Sequence, residues 1–142
     1  MADKQEIRLA GFRITKTHAE INSEFKGKLE MAPNINIGSI EKFKPEQSKQ
    51  DLLKILFDFG ISYKELGKVS VGGELFLSAD SKTFKEILSN WKDKSHSPNT
   101  QIAIMNIIMQ KASLKALSLE DEVGLPPHIN IPILKLQEEK SN

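Results

Sequence analysis

A helix-forming stretch in the last third of the chain carries more apolar surface than one small sheet can cover, and this restricts the folds open to it. Ser97-Pro98-Asn99 supplies a start signal, and Gln101-Ile102-Ala103-Ile104-Met105-Asn106-Ile107-Ile108-Met109 follows with two polar residues among nine. Ile102, Met105, Met109, Ala112, Ala116 and Leu119 fall on one stripe, while Ile104, Ile107, Ile108 and Leu114 spread beyond it. The helix is expected over about residues 99–122, with Gly124 as its stop. After it, Leu125-Pro126-Pro127-His128-Ile129-Asn130-Ile131-Pro132-Ile133-Leu134 can only run extended, because its prolines bar a helix. Two faces of the helix want burial. The second is expected to meet the preceding short helix, a second subunit, or both, with Ile104, Met105, Ile107 and Ile108 as the subunit contacts.

Upstream, the apolar period changes from helical to two. Leu53, Ile55, Phe57, Phe59, Ile61 and Tyr63 share one face of a strand, with Lys54, Asp58 and Ser62 opposite. A turn at Lys64–Lys68 leads to a partner strand with Val69, Val71, Leu75, Leu77 and Ala79 on one side, so the two form a hairpin. Gly72-Gly73 in its middle predicts a bend or a close backbone approach. Residues 7–21 read as a strand whose alternation slips at Gly11, the mark of a bulge, and residues 34–43 as another, closed by Pro45. Residues 22–33 between them read as a polar loop. Asp80 or Ser81 can cap a short helix carrying Phe84, Ile87, Leu88 and Trp91 and ending near Lys94. Four strands followed by two helices, without βαβ alternation, predict an α+β domain: a four-stranded antiparallel sheet covered on one face, expected to be oligomeric. At 142 residues one domain is expected, over residues 1–136, with 137–142 as a charged, disordered tail.

Chemistry is sparse. The chain has no cysteine, and His18, His96 and His128 have no helical partner, so no metal site is expected. Gly60 to Lys68 is not a phosphate loop: six residues separate its glycines and Val69 replaces the magnesium-binding hydroxyl. Glu65, Glu74, Glu86 and Asp93 read as solvated charge. Glu120-Asp121-Glu122 lies at a helix C-terminus, where the macrodipole disfavours acids. Fraying explains that placement, and attraction of a basic partner is the alternative. Twenty basic against nineteen acidic residues, with no basic stripe, argue against nucleic acid. No apolar run reaches the roughly 18 residues of a membrane span, and Met1–Glu6 lacks the order of a secretion signal, so the expected compartment is the cytoplasm.

Taken together, the glycine pair in Val69-Ser70-Val71-Gly72-Gly73, the Pro98-Asn99 helix start, the long apolar helix and the closing Leu125-Pro126-Pro127-His128-Ile129-Asn130-Ile131-Pro132 resemble the SecB export chaperone and its SecB-like relatives. The likeness runs from about Ile7 to Leu134 and rests on order and spacing. It implies dimers and dimers of dimers (a homotetramer), long helices packed between dimers, and apolar grooves that hold unfolded polypeptide. Well-known export chaperones of this family are strongly acidic and dock on the SecA motor through acidic strand positions and a C-terminal tail. This near-neutral chain, with its short mixed tail, does not offer the charge for a SecA-type motor. Other relatives guard the antitoxin of a toxin–antitoxin pair, and the sequence does not choose between the two roles.

The resulting expectation is an ATP-independent holdase for unfolded polypeptide clients, without cofactor and not an enzyme. Its client groove is expected to draw on Phe43, Phe57, Phe59, Tyr63, Phe76, Trp91, Leu125 and Ile129. Phe57, Phe59 and Tyr63 alternate as regularly as core residues do, whereas Phe76 stands on the polar side of its strand, where an aromatic calls for a reason. A structural or assembly protein, whose oligomer is its whole function, is the alternative. An enzyme would need convergent polar groups that the residues do not display.

Overall fold

The computed structural model describes residues 7–47, 49–93 and 98–130. The expected tail at 137–142, Ile131–Leu134 and the turn holding His96 lie outside them. Four strands, β1 (Ile7–Ile21), β2 (Ala32–Phe43), β3 (Leu52–Ser62) and β4 (Gly67–Ala79), precede two helices, α1 (Ser81–Lys92) and α2 (Pro98–Val123). The strands form one antiparallel sheet in the order β1-β4-β3-β2, which is the α+β architecture read from the sequence.

Period two decides which side of the sheet is buried. The odd-numbered residues of β3 from Leu53 to Ile61, and Val69, Val71, Leu75 and Leu77 of β4, face the helices and form the core. The even-numbered residues face outward. β2 begins two residues earlier than expected and takes in Pro33, which is tolerated because β2 is an edge strand and has one side without ladder partners. The expected irregularity at Gly11 is present, as a register shift between Leu9 and Gly11. A second shift, between Ile14 and Lys16, lies opposite Gly73 and Gly72. There a Cβ on Gly73 would stand 2.2 Å from the Arg13 carbonyl oxygen and 3.1 Å from the Phe57 ring, so only glycine lets β1 and β4 approach this closely.

Asp80 caps α1: its side chain accepts a hydrogen bond from the Thr83 N–H at 3.2 Å. That bond holds the exposed Asp80 carboxyl below the usual carboxylate range. α2 ends as expected at Gly124, whose φ of +81° is left-handed. The Leu125 N–H then bonds back to the Glu120 carbonyl at 2.8 Å, closing the helix end.

α2 lies across the sheet and touches all four strands. Its buried residues include Thr100, Ile104, Ile108, Ala112, Ala116 and Glu120, a row at strict four-residue spacing. Such a row winds about 40° per step around a helix of 3.6 residues per turn. The buried side near Thr100 and Ile104, beside β2 and α1, therefore differs from the side buried near Ala116 and Glu120. The stripe read from the sequence is corrected accordingly. Ile104 and Ile108 face the sheet, whereas Ile102 (58% exposed), Met109 (45%) and Leu114 (68%) lie outside. By length and mean hydropathy (1.2 over its most apolar 18 residues) α2 also meets the criterion for a membrane span, which the sequence reading had excluded. Here its four-residue row packs on the sheet as the core helix.

Candidate functional site

The twelve residues singled out from the sequence do not converge on one place. Phe57, Phe59 and Tyr63 are core residues beneath α2, so they give this subunit no open groove surface. Leu125 is buried with them, and Ile129 is exposed. Of the expected subunit contacts, Ile104 and Ile108 belong to the core, and Met105 and Ile107 are half-buried. The first two are occupied by the subunit's own sheet and leave no side for a partner.

Phe43 and Phe76 lie on the outward face of the sheet. Their rings pack together at 5.2 Å between centroids, and Leu56 is exposed on the same face. The Arg13 guanidinium sits 6.0 Å from the centre of the Phe76 ring, and Lys54 Nζ stands 6.0 Å from that of Phe43. Glu74 lies between the two cations, 3.8 Å from Arg13 and 3.6 Å from Lys54. The aromatic pair is thus half-covered by the stems of a local charge network.

Trp91 leads to a different place. It lines a cavity of about 190 Å³ between β2, α1 and the first turns of α2, with Ile35, Ile37 and Ile40 from the edge strand, Ile87 from α1, and Ile104 and Met105 from α2. Asn36, Asn90, Thr100 and Gln101 complete it, and among the described residues no charged side chain lines it. The volume matches one large apolar side chain, since a cavity of about 150 Å³ takes up a benzene molecule. The amide side chains of Asn36, Asn90 and Gln101 belong to residues of this lining, and amides can pair with a peptide backbone. Sequence reasoning named Trp91, Ile104 and Met105 but missed the β2 isoleucines. Their two-residue spacing on a strand at the sheet edge was the available signal.

At the other end of α2 lies a polar cluster that the sequence reading also missed. Glu120, 1% exposed, is enclosed where fraying was expected. The Tyr63 hydroxyl bonds to the Glu120 carboxyl and reaches the Pro126 carbonyl oxygen at 2.5 Å. His128 Nδ1 stands 2.8 Å from Glu120 Oε1, and its ring meets Phe59 edge-on at 5.7 Å between centroids. Burial first, then the hydrogen bond and charge of Glu120, push the Tyr63 phenol above its ordinary pKa, so it stays a neutral donor. His128 Nε2 is buried without a partner, and an unsatisfied buried polar atom costs about 1–3 kcal/mol. The misplaced acid at the helix C-terminus was the sequence signal: Glu120 continues the four-residue row of α2 and is buried for that reason.

No protein-family model matches this chain, and no curated protein sequence matches it. Among solved structures, its fold is similar to that of the SecB-like chaperone Rv1957 of Mycobacterium tuberculosis, solved in complex with a ChAD peptide from the HigA1 antitoxin Rv1956. The match covers 93% of both chains at a TM-score of 0.51 and 11% sequence identity. The likeness is one of fold: this chain has the architecture of a SecB-like chaperone.

Proposed function

We propose that this protein is an ATP-independent holdase chaperone that binds extended, apolar segments of non-native polypeptide in the groove between β2, α1 and α2. The observation that carries the reading is the pairing of an uncharged apolar cavity with the free side of an edge strand. A client segment laid along β2 gains backbone hydrogen bonds, and every second side chain points toward Ile37, Trp91 and Met105. The pocket selects size and apolarity and leaves sequence free. The antitoxin peptide bound by the structurally similar chaperone favours guarding a polypeptide partner over docking on a SecA-type motor, for which the near-neutral charge balance offers no acidic excess. The proposed place of action is the cytoplasm.

Self-association forms part of this reading, through the outer side of α2 at Ile102 and Met109, which leaves large apolar side chains in water in a lone subunit. Several weak grooves on one oligomer multiply their hold on one long client. The same stripe is what an assembly protein without clients needs, so binding itself is the test. Trp91 is the single tryptophan of the chain and lines the groove, so its fluorescence reports occupancy directly. A near-stoichiometric amount of protein, without nucleotide, is expected to delay light scattering by a chemically unfolded client and to shift the Trp91 emission. Ile37→Asp is expected to weaken both effects at least tenfold while circular dichroism stays unchanged. Undiminished aggregation with wild-type protein refutes the holdase reading.

A further inference from the structure

The segment after α2 is itself a helix-free, largely apolar piece of polypeptide, bent at His128 and Ile129, that lies on aromatic residues. We propose that Leu125–Asn130 is a strap occupying a second client site as an internal surrogate, with Tyr63, Glu120 and His128 as its latch. This rests on the holdase reading above and adds a regulated site to it.

Beneath the strap are Phe59 and Tyr63, the aromatic residues of β3 that the closed subunit hides, and Leu125 is buried beside them. The strap meets them as a client would. Leu125 supplies an apolar side chain, and the Pro126 carbonyl oxygen shares with Glu120 the single proton of the Tyr63 hydroxyl. An incoming extended segment offers the same two groups, so the occupant is an apolar stretch of unfolded polypeptide in place of the strap's own backbone.

The manner of attachment favours release. One backbone hydrogen bond, from the Leu125 N–H to the Glu120 carbonyl at 2.8 Å, ties the root of the strap to the helix. Pro126 and Pro127 have no N–H to give, and among the described residues no strand pairs with Pro126–Asn130. What holds the rest is side-chain contact: the Tyr63 hydroxyl at the Pro126 carbonyl oxygen, and the His128 ring against Glu120 and Phe59. His128 Nε2, buried without a partner, regains one from water when the strap lifts. Gly124 provides the pivot, since its φ of +81° suits glycine and nothing lies within 4 Å of where a Cβ would stand. Pro127 and Ile129 are already exposed on the outer side.

The test uses the full chain with two latch variants, His128→Ala and the shape-preserving Glu120→Gln, and two probes: bis-ANS and a reduced, alkylated α-lactalbumin that stays unfolded. In the wild-type protein, amides of Leu125, His128 and Ile129 are expected to exchange at least tenfold faster than those of β3. Exchange as slow as that of β3 overturns the proposal, because the strap then opens only on global unfolding. In either variant that keeps the wild-type circular dichroism, exchange at the strap rises further, bis-ANS emission rises about threefold, and affinity for the unfolded client rises about fivefold. Faster exchange with unchanged dye and client binding refutes the site and leaves the cluster a purely structural clasp. If the wild-type protein binds no client, the holdase reading falls, while bis-ANS still decides the strap: increased uptake supports it and unchanged uptake overturns it.

Discussion

Truncating Ile108 and Ile102 in parallel tests the orientation of α2, on which both the groove and the outer stripe depend. Ile108 is fully buried against the sheet, and Ile102 is 58% exposed. Ile108→Ala removes three carbons, worth about 0.8 kcal/mol each in transfer from water. A residual cavity adds to that, placing the expected cost at about 3 kcal/mol. For a chain of this size, that lowers the melting temperature by roughly 10 °C. Ile102→Ala gives up little burial and gains a few tenths of a kcal/mol in helix propensity, so its cost stays within about 0.5 kcal/mol in dilute solution. The assay is urea unfolding followed by circular dichroism, repeated over a tenfold range of protein concentration. The Ile108→Ala cost is expected to be independent of concentration. The Ile102→Ala cost is expected to grow with concentration if the stripe packs on a second copy, since association stabilises only the folded form. If Ile102→Ala costs as much as Ile108→Ala at the lowest concentration, the helix is rotated from the orientation described and the argument fails.

Phe76→Asp, on the outward face of the sheet, is expected to leave far-UV circular dichroism intact and to lower the unfolding midpoint modestly through loss of the Phe43 contact; an unfolded variant would show that Phe76 is core. Gly73→Ala forces a methyl group onto the Arg13 carbonyl and is expected to cost about 3 kcal/mol in urea unfolding; a cost below about 1 kcal/mol would contradict the close approach of β1 and β4. For Tyr63, whose folded pKa is raised, the linked stability is fully present below the ordinary phenol value of about 10 and is lost as pH rises beyond it. The urea-midpoint advantage of wild type over Tyr63→Phe should therefore hold steady through neutral pH and shrink above about pH 10. A gap that widens there reverses the sign of the argument.

Legibility followed how far apart in the chain the decisive partners lie. In β3 and β4 one face is buried and the other wet, so alternation alone separated Leu53–Tyr63 from Lys54–Ser62, and Gly124 marked a left-handed stop that few other residues fill. On α2 the same logic failed. Nearly every side of its first half is apolar, so no periodicity distinguishes Ile104 and Ile108 from Ile102 and Met109. The true contact row winds at four-residue spacing, and a search for one straight stripe passes over it. Tyr63 and Glu120 are 57 positions apart, and each was read by local rules, the first as a strand aromatic and the second as a frayed acid. The groove was half visible: Trp91 was named from its helical spacing with Phe84, Ile87 and Leu88, but Ile35 and Ile37 become lining only because β2 ends the sheet.

The two sheet edges differ, and that difference sets where an extended polypeptide can add. β1 has two register shifts and carries Arg8, Arg13 and Lys16, devices that blunt an edge against further pairing. β2 has one shift, between Ile37 and Ser39, and its stretch Asn34–Ile37 is uncharged and regular. That stretch borders the cavity lined by Trp91 and Met105. An incoming strand on β1 would meet broken register and fixed cations, whereas one on β2 meets backbone donors and acceptors beside an apolar pocket. The winding contact row of α2 contributes to the same outcome. By burying Thr100 and Ile104 toward β2 at its start and Ala116 and Glu120 elsewhere at its end, the helix leaves a cleft beside the receptive edge and turns Ile102 and Met109 outward. One oblique crossing thus accounts for both the cleft beside β2, the proposed client groove, and the outward Ile102 and Met109, the proposed subunit contact.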